Sequence, residues 1–443
     1  MRTALCIWLL ALAVSASAQN PMWLEFAPGG RVLARAVVET SCPQIAMDGK
    51  VSTMAPRRAP DARAPNGPPA GQRLVCEKDV TGAAKLAIAG TAMKMPPKNP
   101  RRIVVIGDTG CRIKAPLTGA LLGTGRDEDY DDNGSSDKVK IQDCNDPVQW
   151  PFAALAASAA AAQPDLIVHV GDYLYRESAC PSDHQADCGG SPSGDQWDTW
   201  NADFFTPARP LLTAAPWIFV RGNHEICARA GKGWFYYLDP GKYAKDNQCA
   251  DSGAPFQVKV GEFQAWVLDS SSATDVNPPA DQVAAFTRQF QQAATAKLSH
   301  AWLLSHRPIW AAKAGEKGER DQLRTLNATL EKAWAAAPIP GVDLIVAGHT
   351  HLFELLSFKE PLPPQAVIGN SGTDLAHEIK TGLKGQNIGG TTVANGNAVN
   401  DFGFALIEPA ANGKGWSLHL HDSAGRKRLV CSISGSNTQC GAP

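Results

Sequence analysis

Past its first residues the chain has no apolar run approaching the roughly 18 residues that a membrane span needs, so no span is expected. It has no excess of either charge, with 42 Lys and Arg against 43 Asp and Glu. That balance argues against a general polyanion-binding surface, so no nucleic-acid partner is expected and selectivity must come from a local site. Its 11 cysteines contain no C-x-x-C pair, which argues against a zinc site built from cysteines. Nothing in the sequence points to a protein partner.

What is there begins with an export signal. Met1-Arg2-Thr3 is a basic start, Ala4 to Val14 is apolar, and Ser15-Ala16-Ser17-Ala18 supplies an A-x-A cleavage site. This pattern reads as a signal peptide over residues 1–18, too short to be a span. The mature protein is expected to begin near Gln19 and to be exported, periplasmic or secreted. Cys6 goes with the leader and has no lipobox context. The other ten cysteines fall in couples along the chain, and an even count in an exported protein argues for disulfides. Sequence does not give the connectivity. Pairing by adjacency would be Cys42–Cys76, Cys111–Cys144, Cys180–Cys188, Cys227–Cys249 and Cys431–Cys440.

Residues 19–99 read as a small β-rich domain. Val32–Glu39 and Ala84–Ala89 look like strands, with a Pro-, Arg- and Gly-rich stretch between them and a stiff Pro-rich linker at 95–100. Residues 100–443 change pattern to strand, helix, strand, which implies an α/β core. Short apolar runs at 103–106, 166–170, 217–220, 263–268, 302–304 and 342–347 read as buried strands. Helices are expected from Pro151 to Ala162, about Pro279 to Leu298 and about Asp321 to Ala337. Further strands are expected at 353–358, 404–408, 416–421 and 428–433.

Sites in α/β folds gather beyond the carboxyl ends of strands, and polar residues stand at five of these ends. They are Asp108; Asp172 with Tyr175; Asn223 with His224; His306; and His349 with His351. Two imidazoles one residue apart, in Gly348-His349-Thr350-His351, fit a metal site, although a polar turn would give the same four letters.

The series GD-x-G, GD-x-x-Y, GNHE, L-x-S-H and GHTH over about residues 103–351 resembles the calcineurin-like metallophosphoesterases, in particular the purple acid phosphatase branch. The resemblance implies a metallophosphoesterase-type β-sandwich flanked by helices. The general family has D-x-H in its first block. Here Gly110 stands in place of that His, and Tyr175, three residues after Asp172, can replace it. A phenolate is a hard anionic donor that suits iron(III) better than zinc. The resemblance then implies Asp108, Tyr175 and His351 on iron(III), with Asp172 bridging. Asn223, His306 and His349 would hold a second divalent metal: iron, zinc or manganese. It also implies hydrolysis of a small phosphorylated substrate, a phosphate monoester, by a metal-bound hydroxide. His224 would protonate the leaving oxygen or steady the phosphate, unless it is only structural. Arg307 would contact a phosphate oxygen or pair with an acid such as Asp269.

One departure stands out. Family members often carry a further histidine shortly after the His306 block, and Pro308–Gly315 has none, which leaves the acidic pH optimum and the monoester preference open. A phosphodiesterase or nucleotide pyrophosphatase on the same scaffold is the alternative. A metal-dependent phosphate-binding protein without turnover is another, and the Asn223-His224 pair argues against it. The Asp129-x-Asp131-x-Asn133-Gly134 segment resembles a calcium loop, but Lys140 stands where the bidentate Glu belongs, so a solvated acidic loop is expected. His169 and Tyr173 are expected to pack in the core, as are the tryptophans at 197, 200, 234 and 310.

Overall fold

The computed structural model describes residues 20–57, 71–114, 140–243, 249–314 and 327–443. The leader, most of the Pro-rich stretch and the acidic loop at 127–137 lie outside these residues.

The short apolar runs become the parallel centres of two large sheets. In the first, Ile103–Ile106, Leu166–His169 and Trp217–Phe219 lie side by side and parallel. In the second, Phe263–Val267, Ala301–Leu304, Val342–Ala347 and Gln365–Ile368 do the same. Further strands, mostly antiparallel, extend both, giving eleven and eight strands among the described residues. Each central strand is apolar on both faces because both are covered. Ile103, Val105, Val168, Trp302, Leu304, Leu344 and Val346 share the core between the sheets. Val104, Ile106, Ile167 and Trp217 face outward onto a second core under the helix Phe152–Ala161. Leu303 and Ile345 face outward under the helices Ala280–Thr295 and Ala328–Ala336. The result is the expected sandwich flanked by helices.

Among the described residues from Met22 to Met93 the regular elements are all strands. Gln44–Met47, Lys50–Thr53, Leu86–Ile88 and Thr91–Met93 form a small sheet of their own. Met22–Ala27, Arg31–Val38 and Leu74–Asp79 instead lengthen the eleven-stranded sheet, with Glu25 opposite Trp217.

Five disulfides pair Cys42 with Cys76, Cys111 with Cys144, Cys180 with Cys188, Cys227 with Cys249 and Cys431 with Cys440. Each joins sequence neighbours, as the spacing suggests. Such a set suits an oxidising environment. No helix among the described residues is long and apolar enough to cross a membrane.

Two buried arginines bind the N-terminal strands to the segment after His224. The helix Gly231–Tyr237 ends with carbonyls that have no partner inside the helix. Arg57 donates to Phe235 O, Tyr236 O and Asp239 O, and Arg35 donates to Tyr237 O and Asp239 O. Glu77 Oε2 accepts from both guanidiniums, at 2.9 and 2.7 Å. Arg57→Met leaves the carbonyls of Phe235 and Tyr236 without this donor and Glu77 with Arg35 as its guanidinium partner. It is expected to cost about 2–3 kcal/mol, read as a lower midpoint in urea with an unchanged slope.

Candidate metal centre

All five polar strand ends converge at one edge of the sandwich, between the carboxyl ends of the two parallel strand sets. Loop backbones knit them together: Asp108 N donates to Gly171 O, Thr109 N to Asp172 O, and Gly348 N to His306 O. Asp108, Asp172 and His349 hold φ of 56°, 60° and 72°. That left-handed conformation is costly for non-glycine residues and tends to cluster at functional sites. Here three residues accept it, and all three aim side chains at the same volume. Gly348 is needed beside them, since a Cβ there would meet Asp108 Oδ2 at 2.5 Å.

Tyr175 Oη lies 3.1 Å from Asp108 Oδ1, 2.9 Å from Asp172 Oδ2 and 3.0 Å from His351 Nε2. His351 Nδ1 donates its proton to Asp374 O at 2.9 Å, so its Nε2 presents a lone pair to this group. Four acceptor atoms therefore surround one point with a single phenol proton to share. A second such point adjoins it. His306 Nδ1 donates to Val170 O at 2.8 Å, and its Nε2 faces Asn223 Oδ1 at 2.9 Å and Asp172 Oδ2 at 3.2 Å. His349 Nδ1 meets the same Asn223 oxygen at 2.9 Å. Asp172, His306 and His349 offer ligand atoms all within 4.8 Å of one another. Lone pairs gathered without protons between them are what a cation site requires, and Asp172 reaches both points.

Charge gives the same answer. Burial, and then the Asp172 charge, push the Asp108 carboxyl well above its ordinary range. Burial also opposes ionisation of Asp172, but His306 and His224 outweigh it and hold that carboxyl well below. Two buried carboxylates cannot both ionise cheaply at this distance unless a cation lies between them. Burial and the Arg307 charge lower His349 to about 4, which leaves a neutral imidazole, the form that binds metals.

The tyrosine is held from behind. Asp203, fully buried in a π-helical turn, accepts from Tyr175 N at 2.8 Å and Cys111 N at 3.2 Å. It thereby clamps the Tyr175 segment against Gly110. A Cβ at Gly110 would meet Tyr173 O at 2.7 Å and Tyr175 N at 2.8 Å. No side chain fits at 110 while the tyrosine segment lies there, so the glycine and the tyrosine come as a pair.

His224 packs on the Tyr175 ring at a tilt of 36°, centroids 3.8 Å apart. Its Nδ1 lies 2.8 Å from Glu177 Oε1 and 2.9 Å from Arg229 Nη2. A guanidinium can only donate, so the carboxylate takes Nδ1–H and Arg229 pairs with the carboxylate. Nε2 then accepts from Arg229 Nη2 at 3.0 Å and lies 3.8 Å from Asp172 Oδ2. Glu225 supports the turn beneath, accepting from Asp172 N, Tyr173 N, Leu174 N and Gly222 N.

Arg307 sits at the rim of the cluster. Its Nη1 is 2.6 Å from Asp275 Oδ2, so its acid is Asp275; Asp269 serves Arg221 at 3.2 Å. Burial opposes ionisation of Asp275, but Arg307 and His349 hold its carboxyl below the ordinary range. Arg112 was not singled out by any spacing, yet its Cζ lies 4.8 Å over the Tyr175 ring and its Nε 2.6 Å from Asp374 Oδ1. His169 is core, stacked on Tyr173 at 3.9 Å. Tyr173, Trp200, Trp234 and Trp310 are buried, and Trp197 packs against the same core.

The segment after Arg307 is pinned from the second sheet: Gln365 Oε1 accepts from Ile309 N at 2.9 Å, and Glu354 accepts from Ala312 N. Burial raises Glu354 to about 8. The folded state then holds a proton that the unfolded state has lost, so stability falls as pH rises from about 4.5 to about 8, by up to ~1.4 kcal/mol per unit. Glu354→Gln cannot ionise and is expected to flatten that slope, with urea midpoints at pH 5 and pH 8.5 closer together than in the wild type.

Comparison with known proteins follows this geometry. The family model described as calcineurin-like phosphoesterase matches residues 101–353, the span that carries every cluster residue named above from Asp108 to His351. Purple acid phosphatase PPD1 from yellow lupin (Lupinus luteus) seeds superposes with a TM-score of 0.52 at 14% identity, over 95% of this chain and 74% of that one. A structure of PhoD superposes with a TM-score of 0.55 at 9% identity, over 96% and 91%. At these identities the likeness is one of fold. No curated protein matches by sequence.

Proposed function

From a chain that belongs to the calcineurin-like phosphoesterase family, and so is a metal-dependent phosphoric ester hydrolase, we propose a phosphatase of the purple acid phosphatase branch with a two-metal centre. One observation carries the branch: the Tyr175 hydroxyl stands within 3.1 Å of two carboxylates and an imidazole lone pair, beside a Gly110 that can bear no ligand. Asp108, Tyr175 and His351 would hold iron(III). Asn223, His306 and His349 would hold a second divalent ion, and Asp172 would serve both. The pair, when bound, would supply Lewis-acid charge to a phosphate and lower the pKa of a water.

The remaining work falls to the chain's own groups. His224 has Glu177 behind Nδ1, and with Arg229 drawn onto Glu177 its Nε2 would hand a proton to the leaving oxygen. The buried sandwich core excludes water from one side of the site. Arg307, engaged by Asp275, supports the histidine side. A phosphodiesterase is the second reading, carried by Ile309–Ala312, a buried segment that offers no additional acid for a monoester leaving group.

Purified protein, reconstituted with iron and zinc and assayed on monoesters, diesters and nucleotides, tests both readings. Two ions per chain with monoester turnover supports the first; diester turnover alone overturns it for the second. We also propose that the protein is exported through the leader at 1–18, and that within residues 19–99 the small N-terminal unit is the four-stranded sheet, since Met22–Ala27, Arg31–Val38 and Leu74–Asp79 belong to the eleven-stranded sheet. Thiol titration of the unreduced mature protein should then find none free.

A further inference from the structure

His349 has two ring nitrogens, and in the neutral ring only one carries the lone pair that a metal needs. Nδ1 faces inward, 2.9 Å from Asn223 Oδ1. Nε2 faces outward, 3.0 Å from Asp275 Oδ2 and 3.0 Å from Arg307 Nη1. These two neighbours demand opposite tautomers. A guanidinium can only donate, so bonding to Arg307 would place the proton on Nδ1 and close the inward nitrogen. A carboxylate can only accept, so bonding to Asp275 takes Nε2–H and keeps Nδ1 bare.

The surroundings favour the carboxylate. Asp275 is 5% exposed, and Arg307 Nη1 reaches its Oδ2 at 2.6 Å, shorter than the approach of Arg307 to the imidazole. Asn327 Nδ2 donates to Oδ1 at 2.8 Å. Asn327 is itself fixed as the cap of the helix Ala328–Ala336, and Ala328 N donates to Asp275 O. Oδ2 is thus shared between Arg307 and His349, and Oδ1 is held by Asn327. Arg307 is spent on the acid.

We propose that Asp275 is the positioning residue of the second metal: held by Arg307 and Asn327, it fixes His349 in the tautomer whose Nδ1 can bind. The proposal rests on the two-metal reading above. Carboxylates that orient a metal-bound histidine are typically worth about 10–100-fold in affinity, and an amide in that place can do worse than nothing. In Asp275→Asn the new amide nitrogen could donate to Nε2 and drive the proton onto Nδ1, the inward nitrogen.

The test loads iron first and then titrates zinc by calorimetry, beside nitrogen-15 spectra of the metal-free protein labelled at histidine. Asp275→Asn should keep iron and colour, bind zinc about 10–100-fold more weakly, and move the His349 proton from Nε2 to Nδ1. A merely structural role would move neither the tautomer nor zinc selectively. Wild-type protein that takes two ions, with the variant unchanged in zinc affinity and tautomer, overturns the role of Asp275. Wild-type protein that takes one ion overturns the two-metal reading, and this proposal with it. If Asp275→Asn does not fold, the nitrogen-15 spectrum of the metal-free wild type carries the test: a His349 proton on Nε2 supports the proposal, and a proton on Nδ1 overturns it.

Discussion

Tyr175→Phe is expected to bleach the iron-loaded protein and to cut turnover by about 10³-fold. A phenolate on iron(III) donates charge into a partly filled shell and gives a visible band, which zinc, with its filled shell, cannot. The substitution removes one oxygen and one negative charge from a group of four acceptors. No neighbour can refill the gap, because Gly110 has no side chain and no room for one. Lewis-acid stabilisation is worth several kcal/mol, and losing about 4 kcal/mol is roughly three factors of ten in rate. The fold should survive, since the Tyr175 backbone is held by Asp203 and the buried ring stays in place. Absorbance, iron per chain and circular dichroism together check this. A variant with full colour, iron and activity would reduce Tyr175 to a packed aromatic and leave a metallophosphoesterase of unspecified branch.

His224→Ala should act on rate without acting on metal. His224 lies beside the proposed ligand Asn223, with its Nε2 3.8 Å from Asp172 Oδ2 and its Nδ1 bound by Glu177. A positioned general acid contributes about 10²–10⁴-fold. That loss is expected on esters with poor leaving groups, which need the proton. Activated aryl esters leave as stable anions and should lose much less. Equal loss on both kinds at unchanged metal content would assign His224 to holding the phosphate. Glu177→Gln should give a smaller loss with the same leaving-group dependence, because it weakens the orientation of the ring but leaves the ring in place.

The strand ends were readable because each follows a short apolar run and is punctuated by glycine, and both signals are local. The helices at 152–161 and 280–295 were readable from composition and proline at their starts. Sequence alone left the cysteine connectivity open, and the bridges follow the adjacency pairing because each joins neighbours in sequence. What escaped is what arrives from elsewhere in the chain. Glu177, Asp203, Asp275 and Asp374 have no spacing to mark them, and each acquires its role only through a partner that the fold brings near. Arg112 sits four residues after Asp108, but its place over the Tyr175 ring depends on Asp374, far along the chain. Met22–Ala27 escaped as a strand for a different reason. Its central Glu25 reads as a solvated edge, whereas in the sheet it is buried and paired with Arg35 at 2.9 Å. Thr391–Val399 is too polar to announce a strand, and antiparallel pairing with Phe353–Phe358 makes it one.

The placing of Met22–Ala27 also sets a timetable. This strand leaves the ribosome well ahead of its parallel neighbour Trp217–Phe219, which is about 190 residues behind it. At roughly 5–20 residues per second, the hairpin of residues 22–38 waits about 10–40 seconds with one edge open. An open edge of apolar strand is a template for pairing with other nascent chains. The two arginines that close the helix after His224 can engage only when that wait ends. The turn that carries His224 is therefore finished by residues made long before it, and crowding among growing chains should cost active-site completion before it costs the rest of the sandwich.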